Sequence, residues 1–305
     1  MSPDTTQVLA PFDEQPTGDL QQEHRNAQPL HAEPEDRKMS DITMGPPGAE
    51  WKYTPRTRTY DLTRGGTVQA HVLRTTRGAE DISVAIDPTK SALVVIDMQN
   101  YFLHPFCNDF PSGVAAAERA AEVVRACRQS NIKIIWLTWG LTETDLGNVP
   151  AAARYSFTDC LTDPPAGADP PPSGGFGDDL GEGKGWCLMI GSWNAQLYST
   201  VAEQCDLTQD VICHKEKVSG LWNDKTSLSE ALKTERIKTL LFAGVNTNQC
   251  VHGTLLDAYY QGYDCILVED CCATKTPGGQ ELPVIDVSRA FSFVVDSSSL
   301  CPRGS

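Results

Sequence analysis

Short apolar runs that alternate with helical patterns constrain this chain more than any other feature. The runs are "SALVVIDM" (91–98), "KIIWLTW" (133–139), "KTLLFAGV" (238–245) and "DCILVED" (264–270). They are apolar at consecutive positions rather than alternate ones, so each needs cover on both faces of a sheet. The segments between them supply that cover. "SGVAAAERAAEVVRACRQSN" carries apolar residues at helical spacing, with Ser112 as the expected N-cap. Further helices are expected near "KTSLSEALKTE", over about residues 248–261 and near "ELPVIDVSRAF", with "DVICHKEK" and "FSFVVDS" as additional strands. This alternation predicts a three-layer α/β/α sandwich around a central, mostly parallel sheet.

The flanking segments follow other patterns. Residues 1–48 are rich in Pro, Gln, Glu, Asp and Gly, with too little apolar surface to offset the entropy of ordering, and are expected to form a disordered or loosely draped arm. From Trp51 to Ile86, "WKYTPRTRTYDL", "TVQAHVLRT" and "DISVAI" alternate polar with β-branched or aromatic residues, which predicts a strand or hairpin extension over about 49–90. A single domain is expected over 49–300, with a tail at 301–305. The ending "CPRGS" partly resembles a protease-cleavage scar and is set aside from the fold reading. A Pro/Gly-rich insertion at about 140–185, including "TDPPAGADPPPSGGFGDDLGEGKG", is too long for a simple connection and reads as a lid, a wrapping loop or a partly disordered segment.

Composition narrows the partners. With 40 acidic and 25 basic residues the formal charge is −15, which argues against a nucleic-acid surface. The first residues lack a basic stretch followed by an apolar one, and no run approaches the ~20 apolar residues of a membrane span, so a soluble cytoplasmic protein is expected. Eleven cysteines without regular spacing do not form a disulfide framework, and reduced thiols are expected. The histidines, His24, His31, His71, His104, His214 and His252, are dispersed without metal-ligand spacing. Neither a metal nor a cofactor is expected.

In parallel sheets, ligands bind beyond the carboxyl ends of the strands. Three residues stand at such ends. Asp97 closes an apolar run, as a functional carboxylate or as the cap of a turn. Lys215 follows "DVICH", with Lys217 a rival of the same chemistry two residues on. Cys250 falls between a strand and the start of a helix, where outward-pointing N–H groups and the helix dipole favour a thiolate, and a neighbouring lysine would lower the thiol pKa further. The alternative for any of these cysteines is a small buried hydrophobe, which suits Cys127, Cys213 and Cys265 better.

Taken together, "VVIDMQNYF", "KEKVSGLW" and "GVNTNQCVHGTLLDAYYQGYDCILVEDCCAT" resemble the isochorismatase-like cysteine hydrolases, which include nicotinamidases, N-carbamoylsarcosine amidases, ureidoacrylate hydrolases and biuret hydrolases. The resemblance covers about residues 90–295, with the insertion around 150–185 outside it. It implies an Asp–Lys–Cys triad at Asp97, Lys215 and Cys250. Lys215 is preferred to Lys217 because the family's lysine lies four residues before a serine, here Ser219 in the altered "VSGL". It also implies a cis peptide between Val245 and Asn246, with the N–H groups of Asn246 and Cys250 forming an oxyanion hole. Asn100, Phe102, Trp139, Trp222 and Gln249 are the candidate substrate-binding residues, with Tyr101 in the same segment; His252 either contacts substrate or faces solvent.

The metal-binding histidines of nicotinamidases have no counterpart in "WLTWGLTETDLGN". The presence of Cys250 favours C–N hydrolysis over vinyl-ether cleavage. The expected function is therefore hydrolysis of a small amide or N-carbamoyl-type ureide, a carbon–nitrogen bond other than a peptide bond, through a cysteine thioester. The alternatives are an isochorismatase-type or secondary-metabolite tailoring hydrolase, or a non-catalytic interaction protein on the same fold. A small-molecule substrate and a homo-oligomer, dimer or tetramer, are expected, with the Trp51–Ile86 strands as an interface element.

Overall fold

The computed structural model describes residues 40–157 and 175–301. Most of the arm, the middle of the Pro/Gly-rich insertion and the last four residues of the tail lie outside the described residues.

The chain first forms a small mixed sheet. Its strands are β1 (Ile42–Met44), β2 (Trp51–Thr54), β3 (Thr59–Asp61), β4 (His71–Arg74) and β5 (Ser83–Ile86). They lie in the order β1-β2-β3-β5-β4, antiparallel except for the β3–β5 pair. The extension expected over 49–90 is thus a sheet, and it begins earlier than the sequence pattern suggested. All three residues of β1 are exposed, so this short strand is held by pairing with β2 rather than by burial.

The main sheet contains β6 (Ser91–Ile96), β7 (Lys133–Trp139), β8 (Val211–Lys215), β9 (Thr239–Val245), β10 (Asp264–Ala273) and β11 (Phe293–Val295). Its order is β11-β10-β9-β6-β7-β8, and every neighbouring pair is parallel. β6 and β9 are buried at every position, as their unbroken apolar runs require. The helices are α1 (Asn100–Leu103), α2 (Pro111–Gln129), α3 (Glu143–Asn148), α4 (Ala151–Ser156), α5 (Ser199–Ala202), α6 (Ser227–Thr234), α7 (His252–Tyr260), α8 (Glu281–Asp286) and α9 (Ser297–Leu300). α2 packs on β7, β9 and β10 through small side chains such as Ala116, Ala117 and Ala120, which allow close approach to the sheet. Among the described residues no helix is long and apolar enough to cross a membrane.

Two local expectations change. Ser112 is not the N-cap of α2: the helix begins at Pro111, and Phe110 precedes it. Proline suits a first helical position because its φ is already helical and its missing N–H would have had no partner there. The helix expected from about residue 248 starts as a π-helical turn over Thr247–Val251 and becomes α-helical only at His252.

The two sheets meet at the amino ends of the main strands. The buried Asp264 carboxylate at the start of β10 accepts both Nη atoms of Arg64 at 2.9 Å, the Trp51 Nε1–H at 2.7 Å and the Thr239 hydroxyl at 2.9 Å. Replacing Asp264 with Ala leaves the Arg64 guanidinium, whose side chain is 16% exposed, without its anion. Loss of about 3–5 kcal/mol is expected, read as a lower urea midpoint with the slope unchanged. A midpoint within experimental error of the parent would contradict this role.

Candidate active site

The site forms where β9, β6, β7 and β8 end side by side. Asp97 terminates β6 by adopting φ +54°, which turns the chain out of the strand while its N–H still donates to Leu137 O at 2.9 Å. The left-handed region is open to Asp because its short side chain tolerates it. On the other side of β6, β9 approaches so closely at Gly244 that a Cβ there would lie 2.1 Å from Ile96 O. With φ +138° as well, this position accepts only glycine. The next peptide, Val245–Asn246, is cis. Cys250 then sits in the π-helical turn that follows.

These elements bring the three strand-end residues together. Lys215 Nζ lies 3.0 Å from Asp97 Oδ2 and donates to Cys250 Sγ at 3.4 Å and to Lys217 O at 3.2 Å. Asp97, Lys215 and Cys250 are 0%, 2% and 3% exposed. The rival Lys217 lies apart, with its ammonium 3.0 Å from the centre of the Trp222 ring.

One ammonium cannot support two buried anions. Burial pushes the Asp97 carboxyl above the usual carboxylate range, with Lys215 pulling the other way. Burial and the Asp97 charge together push the Cys250 thiol up to about 12, against a smaller opposing effect of Lys215. The expectation of a thiolate favoured by its surroundings is therefore overturned. Desolvation outweighs the lysine at the sulfur, and burial acts in the same upward direction on the neighbouring Asp97 carboxyl.

Cys250 opens onto a cavity of about 650 Å³. Tyr101, Phe102, Phe157, Val218 and Leu256 give it apolar walls, and Asn108, Asn246, Asn248, Gln249 and His252 give it neutral polar groups. Phe102, Gln249 and Asn246 thus line the cavity onto which Cys250 opens, as does His252. Three candidates do not. Asn100 is spent on structure, its Nδ2 donating to Trp193 O at 2.9 Å. Trp222 lies outside the lining, 42% exposed, with its Nε1 donating to Glu216. Trp139 is buried behind Lys215 and borders a separate cavity of about 500 Å³ with Trp136 and Leu197.

Sequence reasoning missed Asn108, Phe157 and Asn248. Asn248 lies in the strand-end motif beside Cys250, whereas Asn108 and Phe157 lie outside such motifs, Phe157 within the Pro/Gly-rich insertion. Asn248 is oriented by the Thr274 hydroxyl at 2.7 Å, and Lys275 spans the rim, its N–H on Asn246 Oδ1 and its ammonium 2.6 Å from Asn108 Oδ1. Among the described residues no group of three His, Cys, Asp or Glu side chains is placed to hold a metal ion.

The isochorismatase domain model matches residues 91–299, so the chain belongs to the isochorismatase family and is a hydrolase of that family. It is 27% identical to the ureidoacrylate amidohydrolase RutB of Cronobacter sakazakii over 223 residues, 70% of this chain and 88% of that protein. A cysteine hydrolase from Pseudomonas syringae superposes with a TM-score of 0.55 at 18% identity, over 70% of this chain and 92% of that one. An isochorismatase family protein from Desulfovibrio vulgaris does so at 0.54 and 20%, over 70% and 96%. At these identities the two likenesses establish the fold.

The charge arrangement has a direct readout in the rate of Cys250 alkylation by iodoacetamide as a function of pH. The Asp97 charge raises the thiol pKa and the Lys215 charge lowers it. Asp97→Asn is therefore expected to move the titration to lower pH and Lys215→Met to higher pH, by about one unit or more each. Unmoved curves would contradict the coupling.

Proposed function

We propose that this protein hydrolyses a C–N bond of a small amide or N-carbamoyl-type ureide through a thioester on Cys250. The buried cluster of Asp97, Lys215 and Cys250, with the thiol alone opening onto the cavity, carries this reading. Similarity to a ureidoacrylate amidohydrolase supports the ureide class.

The steps follow from the charges. Asp97 takes the Cys250 proton as the sulfur attacks the carbonyl carbon, and the carbonyl electron pair moves onto oxygen. The N–H groups of Asn246 and Cys250 are the proposed donors to that oxyanion. On collapse the C–N bond breaks, Asp97 returns its proton to the leaving nitrogen, and ammonia or an amine departs from an acyl or carbamoyl thioester. Water then gives a proton to Asp97 and attacks the thioester carbon. The C–S bond breaks, the acid leaves and the thiol regains its proton. Throughout, one negative charge faces Lys215: first the carboxylate, then the thiolate, then the oxyanion. The rings of Tyr101, Phe102 and Phe157 suit a flat, delocalised amide or ureide group.

Ammonia release from ureidoacrylate, N-carbamoyl-β-alanine and aryl ureas tests the class. Cys250→Ala and Asp97→Asn are each expected to lower turnover by at least about 10³- to 10⁴-fold; Cys250→Ala is expected to leave the thermal midpoint close to that of the parent, whereas Asp97→Asn, which leaves the buried Lys215 ammonium without its anion, is expected to lower it. Full activity of Cys250→Ala would refute the thioester route. Pyruvate release from isochorismate, without ammonia release from any amide, would refute the C–N bond assignment.

A further inference from the structure

Trp139 lies directly across from Lys215. The two are register partners on adjacent parallel strands, β7 and β8, so their side chains leave the sheet on the same face. The indole centre is 3.7 Å from Lys215 Nζ, and Trp139 is 1% exposed. The ammonium donates to Cys250 Sγ and Lys217 O and pairs with Asp97 Oδ2 at 3.0 Å. The ring covers a remaining side of the charge, where no further hydrogen bond is available and water is excluded. An aromatic face is attracted to a cation through its quadrupole, and the attraction is strongest where both groups are desolvated.

The ring is itself held on several sides. Gln99 clamps the Trp139 backbone, its Oε1 accepting from Trp139 N at 2.9 Å and its Nε2 donating to Trp139 O at 2.8 Å. Phe157 and Phe176 stack on each other at 4.1 Å and lie 5.1 and 4.9 Å from the indole. Both rings belong to the Pro/Gly-rich insertion, so described residues of that insertion pack against the residue that backs the lysine. The indole N–H is buried with no acceptor among the described residues.

From this geometry we infer that Trp139 is a positioning residue: its ring holds the Lys215 ammonium between Asp97 and Cys250 and thereby sets how readily the thiol gives up its proton. The role rests on the Asp97–Lys215–Cys250 reading above. It places Trp139 in the reaction without contact to substrate, which is why the tryptophan borders a different cavity.

The test uses iodoacetamide alkylation of Cys250 at pH 7.5, followed by mass spectrometry, with the half-buried Cys107 as an internal control. Trp139→Leu is expected to slow Cys250 by about 30-fold, Trp139→Phe by no more than about fivefold, and neither to change Cys107. Phe176→Leu, which disturbs packing around the indole without touching the lysine, is expected to stay within about twofold of the parent. A parent-like rate for Trp139→Leu, or equal losses for the Leu and Phe substitutions, would overturn the inference. Should Trp139→Leu fail to fold, mono-, di- and trifluorotryptophan at position 139 preserve the shape while weakening the ring face. A stepwise fall in rate is expected, and a flat series would overturn the proposal. Because alkylation needs no substrate, slow Cys250 in the variants beside a parent that releases no ammonia would sink only the hydrolase reading. A parent-like rate beside an active enzyme would sink only the role of Trp139.

Discussion

The ion pair between Lys215 and Asp97, 3.0 Å apart and sealed from water, is the interaction on which the site depends. Removing two charges from water costs several kcal/mol each, and their attraction offsets this only when the geometry is close and the remaining donors are satisfied. The geometry is close, and the Lys217 carbonyl and the Cys250 sulfur take further lysine donors. Once the pair exists, the thiol beside it cannot ionise cheaply, because a second anion would have no cation of its own. Proton transfer from sulfur to carboxylate avoids that penalty, since it moves the negative charge without adding one. Burial first, and the Asp97 charge second, raise the thiol pKa, and in the proposed mechanism Asp97 accepts its proton.

The parallel sheet separates this chemistry from the part of the molecule that secures the fold. At the amino ends of β9 and β10, Asp264 gathers Arg64, Trp51 and Thr239 and ties the small sheet to the large one. At the carboxyl ends, β6 turns out at Asp97 and β9 closes on it at Gly244, and the backbone geometry there is special: a left-handed aspartate and a glycine at which an added Cβ would collide with the Ile96 carbonyl. A parallel arrangement places all of these strand ends on one side, so residues more than a hundred positions apart in the chain converge without any long connection crossing the site.

Much of this was legible from the residues, and the reasons differ by element. Unbroken apolar runs reveal buried parallel strands because burial on both faces leaves no polar position, and the main sheet follows the runs closely. β1 escaped notice because it is exposed and exists through its pairing with β2. The convergence of Asp97, Lys215 and Cys250 could be anticipated from their places after strands and from the family motifs. The protonation state of Cys250 could not. A helix N-terminus and a nearby lysine both argue for a thiolate, and the opposing desolvation depends on how completely the sheet and α7 enclose the sulfur. Asn100, Trp139 and Trp222, candidates for substrate contact, lie outside the lining of the Cys250 cavity for a related reason. A motif places a residue near a site, but the rotamer and the neighbours decide whether it faces the cavity, braces a loop or backs the lysine.

The most direct measurement of the central claim is mass spectrometry of enzyme quenched in acid during turnover of the fastest amide or ureide substrate. The account predicts a peptide containing Cys250 that is heavier by the acyl or carbamoyl group and loses that mass on treatment with hydroxylamine. Active enzyme quenched within its first turnover that carries the group on another residue, or carries none, would contradict it.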